Sequence, residues 1–144
     1  MFDHYTLTFV FNENKQVLLV KSGKFQNYYN GVGGIVGKNE NVQTSVLKAL
    51  KDEAGIIPKL ELGFSDFRLF GDILGPKYNV RCFLLNLKEG NHEIVTPKNP
   101  GRSLLWSGID SFPAMAPHAQ ALVLLAANNI TNVRIEDYPP RERK

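Results

Sequence analysis

The sequence predicts an α/β fold, and three stretches carry the prediction. Residues Tyr5 to Phe11 alternate and then run apolar, the pattern of a strand that becomes buried along its length. From Val42 to Ala54, the apolar residues Val42, Val46, Leu50 and Ala54 recur every four positions, which marks one face of an amphipathic helix. Pro117 to Asn129 is a second helical run, strongly apolar throughout.

The remaining elements follow in chain order. Asn12 to Lys15 is a turn-rich connector, so Gln16 to Val20 is expected to fold back on the first strand as a hairpin. Asn41 or Thr44 is placed to cap the first helix, and Gly55 stands just past its last turn, the usual C-cap position. Strands are expected from Leu60 to Leu69 and from Val80 to Leu87, separated by Gly71-Asp72 and Gly75-Pro76. Ser103 to Ser107 is a short strand that contains the only tryptophan, Trp106.

A chain of 144 residues is long enough for one domain with a substantial core. We place that domain at residues 1–132 and a basic C-terminal tail at 133–144, expected as a solvated or disordered end closing on Pro139-Pro140-Arg141-Glu142-Arg143-Lys144. The net charge of +3 favours anionic ligands, but the basic residues are scattered and no aromatic-rich motif accompanies them, so no nucleic-acid partner is expected. The apolar run Leu122 to Ala127 is far short of the ~20 residues that span a bilayer, and no secretory leader is visible, which predicts a cytoplasmic protein without a membrane partner. A single cysteine, Cys82, excludes an internal disulfide; its alternating apolar context makes it a core residue rather than a nucleophile. His4, His92 and His118 are too scattered for a metal motif and receive no catalytic role. A monomer or a homodimer is equally compatible.

Chemistry concentrates between Gly31 and Ile56. Ala49, Asp52 and Glu53 are related by three- and four-residue steps, so they share a stripe of the first helix. Magnesium, or manganese, prefers a few carboxylate oxygens plus substrate phosphate oxygens to a full protein cage, a style that Asp52 and Glu53 suit. The preceding Gly31-Val32-Gly33-Gly34 lets main chain approach a phosphate or a metal without side-chain obstruction.

The register of Gly34, Glu40, Lys48, Leu50, Asp52, Glu53, Gly55 and Ile56 resembles the box of the MutT/Nudix hydrolases, G-x5-E-x7-R-E-U-x-E-E-x-G-U with U aliphatic. Lys48 stands for the Arg, Asp52 for the first Glu of the final pair, and Ala49 where the family has a Glu. The order of elements over about residues 4–130 is also similar to the Nudix fold, which implies a mixed β-sheet sandwiched between α-helices. The resemblance implies magnesium on the Gly33 carbonyl, Asp52 and Glu53, a supporting ion pair between Glu40 and Lys48, and catalytic roles for Glu53, Asp52 and Glu40. It also implies substrate contacts from Asn30, Gly33, Gly34 and Lys48. Ala49 removes a carboxylate that serves the family as metal ligand or base, leaving Glu40 or Glu53 to activate the water. Before the Trp106 strand, only Glu89 and Glu93 are available as a further acid.

Tyr28-Tyr29-Asn30-Gly31-Val32-Gly33-Gly34 looks like the W-N-G-x-G-G segment of Nudix enzymes that act on oxidised purine nucleotides, with Asn30 in the base-reading place. An Asn before Gly is equally ordinary turn chemistry. Those enzymes stack the base on a Trp beside adjacent acids where this chain has Ala116, His118 and Ala119, which argues against that specificity. Two functions are therefore carried forward. One is a magnesium-dependent pyrophosphohydrolase of a nucleoside diphosphate linked to another moiety, and the other is a Nudix-fold nucleotide-binding or protein-interaction module without efficient turnover.

Overall fold

The computed structural model describes residues 2–21, 27–98 and 103–137. The chain opens with β1 (Asp3–Phe11) and β2 (Val17–Lys21), the expected hairpin, paired antiparallel at Val10 with Leu18. Short strands β3 (Tyr29–Asn30) and β4 (Val32–Ile35) then lead to helix α1 (Val42–Ala54). After it come β5 (Ile56–Pro58), β6 (Phe67–Leu74), β7 (Tyr78–Asn86), β8 (His92–Ile94) and β9 (Ser103–Ser107). Helix α2 (Ala119–Ala127) and β10 (Val133–Glu136) complete the described chain.

Among the described residues, eight strands form one mixed sheet, in the order β10-β6-β7-β1-β2-β3 with β4 added on β1 and β9 on β2. β1 runs parallel to β7 and antiparallel to β2 and β4, which places it at the centre. β5 and β8 pair separately. Period-two alternation sends successive side chains to opposite faces. Val10, Leu18, Val20, Phe83 and Leu85 meet Val46, Leu50 and Ala54 of α1 on one face, while Phe9, Phe11, Leu19, Cys82 and Leu84 meet Leu122, Val123 and Ala126 of α2 on the other. The sheet is thus sandwiched between the two helices, and Cys82 is a core residue whose thiol burial pushes up to about 12.

α1 has the bounds its periodicity predicts. Asn41 Oδ1 accepts from the Thr44 N–H at 2.7 Å, and Gly55 ends the helix in the left-handed region at φ 68°. Two expectations fail. The strand expected over Leu60 to Leu69 begins only at Phe67 and continues through Gly71-Asp72, which is no separator: the ladder shifts register between Leu69 and Gly71, a bulge. A Cβ at Gly71 would stand 2.7 Å from Val133 Cβ, so the glycine permits a close approach by β10. Residues 133–136, taken from sequence as the start of a solvated tail, pair in parallel with Gly71–Leu74 at the sheet edge. The sequence shows only charged Arg134 and Glu136 alternating with Val133 and Ile135, a half-buried pattern that an edge strand satisfies. The rest of that tail, 138–144, lies outside the described residues.

Candidate active site

α1, β4 and the strand pair β1/β7 border a cavity of about 790 Å³. Its helical wall presents Ser45, Lys48, Ala49, Asp52 and Glu53, and its β3–β4 wall presents Asn30, Gly31, Gly33, Gly34 and Ile35. The candidate residues Asn30, Gly33, Gly34, Lys48, Asp52 and Glu53, dispersed over 24 positions, therefore converge on one space. Glu40 stands apart from that lining; its Oε1 accepts from the Gly37 N–H at 3.3 Å. The ion pair expected between Glu40 and Lys48 is not formed among the described residues, because Glu40 is turned to the loop before α1 while the Lys48 side chain lines the cavity. Neither Glu89 nor Glu93 borders it either: the Glu89 N–H bonds Glu13 Oε1, and Glu93 pairs with Ile57 in the small sheet.

The glycines differ in purpose. A Cβ on Gly34 would stand 2.8 Å from Thr6 Oγ1 and 3.1 Å from both Ala49 Cβ and Ser45 Oγ, so Gly34 lets α1 lie directly on β1 and β4. A Cβ on Gly33 would meet only Thr6 O at 3.9 Å, so here the missing side chain keeps main chain open to the cavity. Beneath them, Thr6 Oγ1 is buried without a hydrogen-bond partner among the described residues, close to Ala49. Ala49 is 9 % exposed and packs into the α1 core while touching the cavity.

The helix end that carries the acids is laced to later chain. The Lys98 N–H donates to Asp52 O at 3.0 Å and the Val95 N–H to Gly55 O at 2.8 Å. Gly55 itself has no room for a side chain, since a Cβ would collide with Val95 O. Asn30 Oδ1 accepts from its neighbour's Gly31 N–H at 2.8 Å, the turn chemistry weighed above, and the amide NH₂ remains available to the cavity.

The far wall holds a group that sequence patterning does not reveal. Tyr78, His118 and Asp137 border the same cavity, with Tyr5 edge-on to Tyr78 at 6.4 Å between ring centroids. The Tyr78 hydroxyl donates to Asp137 Oδ2 in a short contact, and His118 Nε2 lies 3.3 Å from Oδ1. The Tyr78 hydroxyl, and then His118, hold the Asp137 carboxyl below the usual carboxylate range, and the Tyr78 phenol is pushed up to about 12 mainly by that same bond. Three residues 19 to 59 positions apart offer no motif spacing; only β10 brings Asp137 into range.

A NUDIX domain sequence model matches residues 2–123. The chain belongs to the Nudix hydrolase family. Solved structures agree on the fold. A MutT protein from Bacillus halodurans superposes with a TM-score of 0.72 at 17 % identity, covering 94 % of this chain and 89 % of that one. An ADP-ribose pyrophosphatase from Streptococcus suis does so at 0.61 and 18 % identity, over 95 % of this chain and 100 % of that one. The NUDIX domain of Shewanella oneidensis NrtR, complexed with ADP ribose, gives 0.69 at 14 % identity, over 90 % and 88 %. No curated protein matches the chain in sequence at a significant level. Within this Nudix chain, no cluster of three or more His, Cys, Asp or Glu side chains poised for a metal occurs among the described residues, and no helix is long and apolar enough to cross a membrane.

Proposed function

We propose that this Nudix protein is a magnesium- or manganese-dependent pyrophosphohydrolase acting on a nucleoside diphosphate linked to another moiety. The observation that carries the reading is the convergence of Gly33, Gly34, Lys48, Asp52 and Glu53 on one cavity. Two carboxylates beside open main chain match the donor set that magnesium takes when substrate phosphates supply the remaining oxygens. Asp52, Glu53 and the Gly33 carbonyl would hold the ion, which supplies charge neutralisation at phosphorus and a more acidic bound water.

The chain's own groups do the rest. The Lys48 ammonium offsets phosphate charge from the helical wall, and Gly34 keeps α1 close enough for its carboxylates to reach the diphosphate. With Ala49 at the family's Glu position and Glu40 outside the cavity lining, the proton of the attacking water passes to Glu53 or Asp52. The Asn30 amide donates to the nucleoside. The ADP ribose bound by the NrtR domain and named for the Streptococcus suis enzyme supports a nucleoside diphosphate with a further group attached. Ala49 favours a second reading, a module that binds the nucleotide and scarcely turns it over. A hydrolysis screen with magnesium and manganese across nucleoside triphosphates, dinucleotides and nucleoside diphosphate sugars separates the two. Metal-dependent release of a nucleoside monophosphate supports the enzyme; tight binding without turnover replaces it with the module.

A further inference from the structure

The family match ends at residue 123, yet the cavity wall does not. β10 extends the sheet past that limit, its pairing with β6 continues in the Asp137 N–H bond to Leu74 O at 2.7 Å, and Asp137 is thereby set on the cavity wall. His118 stands at the N-cap of α2 in the left-handed region, φ 68°, a conformation costly for a residue with a Cβ. Its ring makes no cap bond to the helix and is turned to Asp137 instead. A strained backbone at one end and an added strand at the other thus converge on one carboxylate.

That carboxylate has acceptor capacity left over. An ionised Asp offers about four lone-pair sites, and Tyr78 and His118 take one on each oxygen. One site remains on each oxygen, and the Asp137 side chain is 46 % exposed. The Tyr78 bond keeps the group ionised and so unable to donate. We infer that Asp137, oriented by Tyr78 and His118, is a specificity residue that accepts two adjacent hydrogen-bond donors from the part of the substrate beyond the diphosphate. The inference rests on the diphosphate reading above. A neutral pair of adjacent donors that ADP lacks has two sources in a nucleoside diphosphate derivative, the vicinal hydroxyls of a second sugar attached at the distal phosphate and the N–H edge of guanine. Tyr5, Tyr78 and Pro117 supply apolar surface for either ring.

Calorimetric titration with methylene-bridged, uncleavable analogues in the presence of magnesium tests this on the full chain. The probes are methylenediphosphate and the analogues of ADP, GDP and ADP-ribose. Wild type should prefer one analogue to that of ADP by about tenfold or more: the GDP analogue if guanine is read, the ADP-ribose analogue if a diol is read. Asp137→Asn, which turns one acceptor into a donor, should reduce that preference to about threefold or less while methylenediphosphate binds as before. Tyr78→Phe leaves the backbone of β10 untouched and should weaken the same analogue by about threefold, so the inference stays testable if Asp137→Asn fails to fold. No preference in the wild type, or one that both variants retain within about twofold, overturns the inference alone. Absence of methylenediphosphate binding to the wild type overturns the diphosphate reading, and this inference with it.

Discussion

Replacing Ala49 by Glu tests the proposed chemistry most directly, because the structure fixes both what the change costs and what it returns. Position 49 is 9 % exposed, one turn before Asp52 and Glu53, and its Cβ faces the space above Gly34 that Thr6 Oγ1 also borders. Without metal, the new carboxylate stands beside two others in a largely buried position, and burying it should cost about 1–3 kcal/mol. For a domain of this size that lowers the melting temperature by roughly 4–12 °C. With magnesium the sign reverses at the site. Three carboxylates then surround the ion, the metal-induced rise in melting temperature should exceed that of the wild type, and a base placed at this position should raise metal-dependent pyrophosphate cleavage at least tenfold, ~1.4 kcal/mol of barrier. The assay pairs thermal unfolding, with and without magnesium, with kcat on a substrate the wild type binds. A variant that folds, gains the larger metal-induced stabilisation and shows no rate increase would refute the reasoning. In that case the missing carboxylate is not what limits turnover.

Other outcomes follow from the same geometry. Asp52→Asn with Glu53→Gln should abolish magnesium and manganese binding in a calorimetric titration while leaving the circular dichroism spectrum unchanged; retained affinity places the metal elsewhere. Asn30→Ala should weaken purine nucleotides more than pyrimidine ones, by about 1–3 kcal/mol, and an equal loss for both reduces Asn30 to the partner of Gly31 N–H that the structure records. The Tyr78 phenol, held protonated in the fold to about 12 against 10.0 for the ordinary group, contributes stability that is whole below pH 10 and is lost as pH rises from there through 12. Spectroscopic titration of the tyrosines should show one late phenol that returns toward 10 in Asp137→Asn, and an unchanged titration curve would contradict the bond between them.

How much the sequence discloses depends on how local each determinant is. α1, its Asn41 cap, its Gly55 stop and the Ser103–Ser107 strand appear with their predicted bounds, because periodicity and capping act within a few residues. The Gly71-Asp72 pair misleads for the opposite reason: its glycine answers to Val133, 62 positions away, and reads as a turn when β10 is not in view. The site divides along the same line. Its diphosphate half lies within one contiguous stretch around α1 and is legible, except that Glu40 and Lys48, eight positions apart, part company because one faces a loop and the other the cavity. Its other half, Tyr78, His118 and Asp137, comes from three separate elements joined only by sheet pairing, and no local pattern announces it.

The lacing of α1 to residues 95–98 has a kinetic meaning. Asp52 and Gly55 give their carbonyls to amides more than 35 positions downstream, so the acid-bearing end of the helix is secured only after the chain through β7 and β8 has been threaded into place. Contacts of such sequence separation are made late, after the closure entropy of the intervening loop has been met. Metal capture would then report the last stage of folding, and a refolding experiment that follows manganese uptake beside helix formation should see the helix first. A nascent chain released before residue 95 would carry every acid of the motif yet lack the two backbone hydrogen bonds that fix their place.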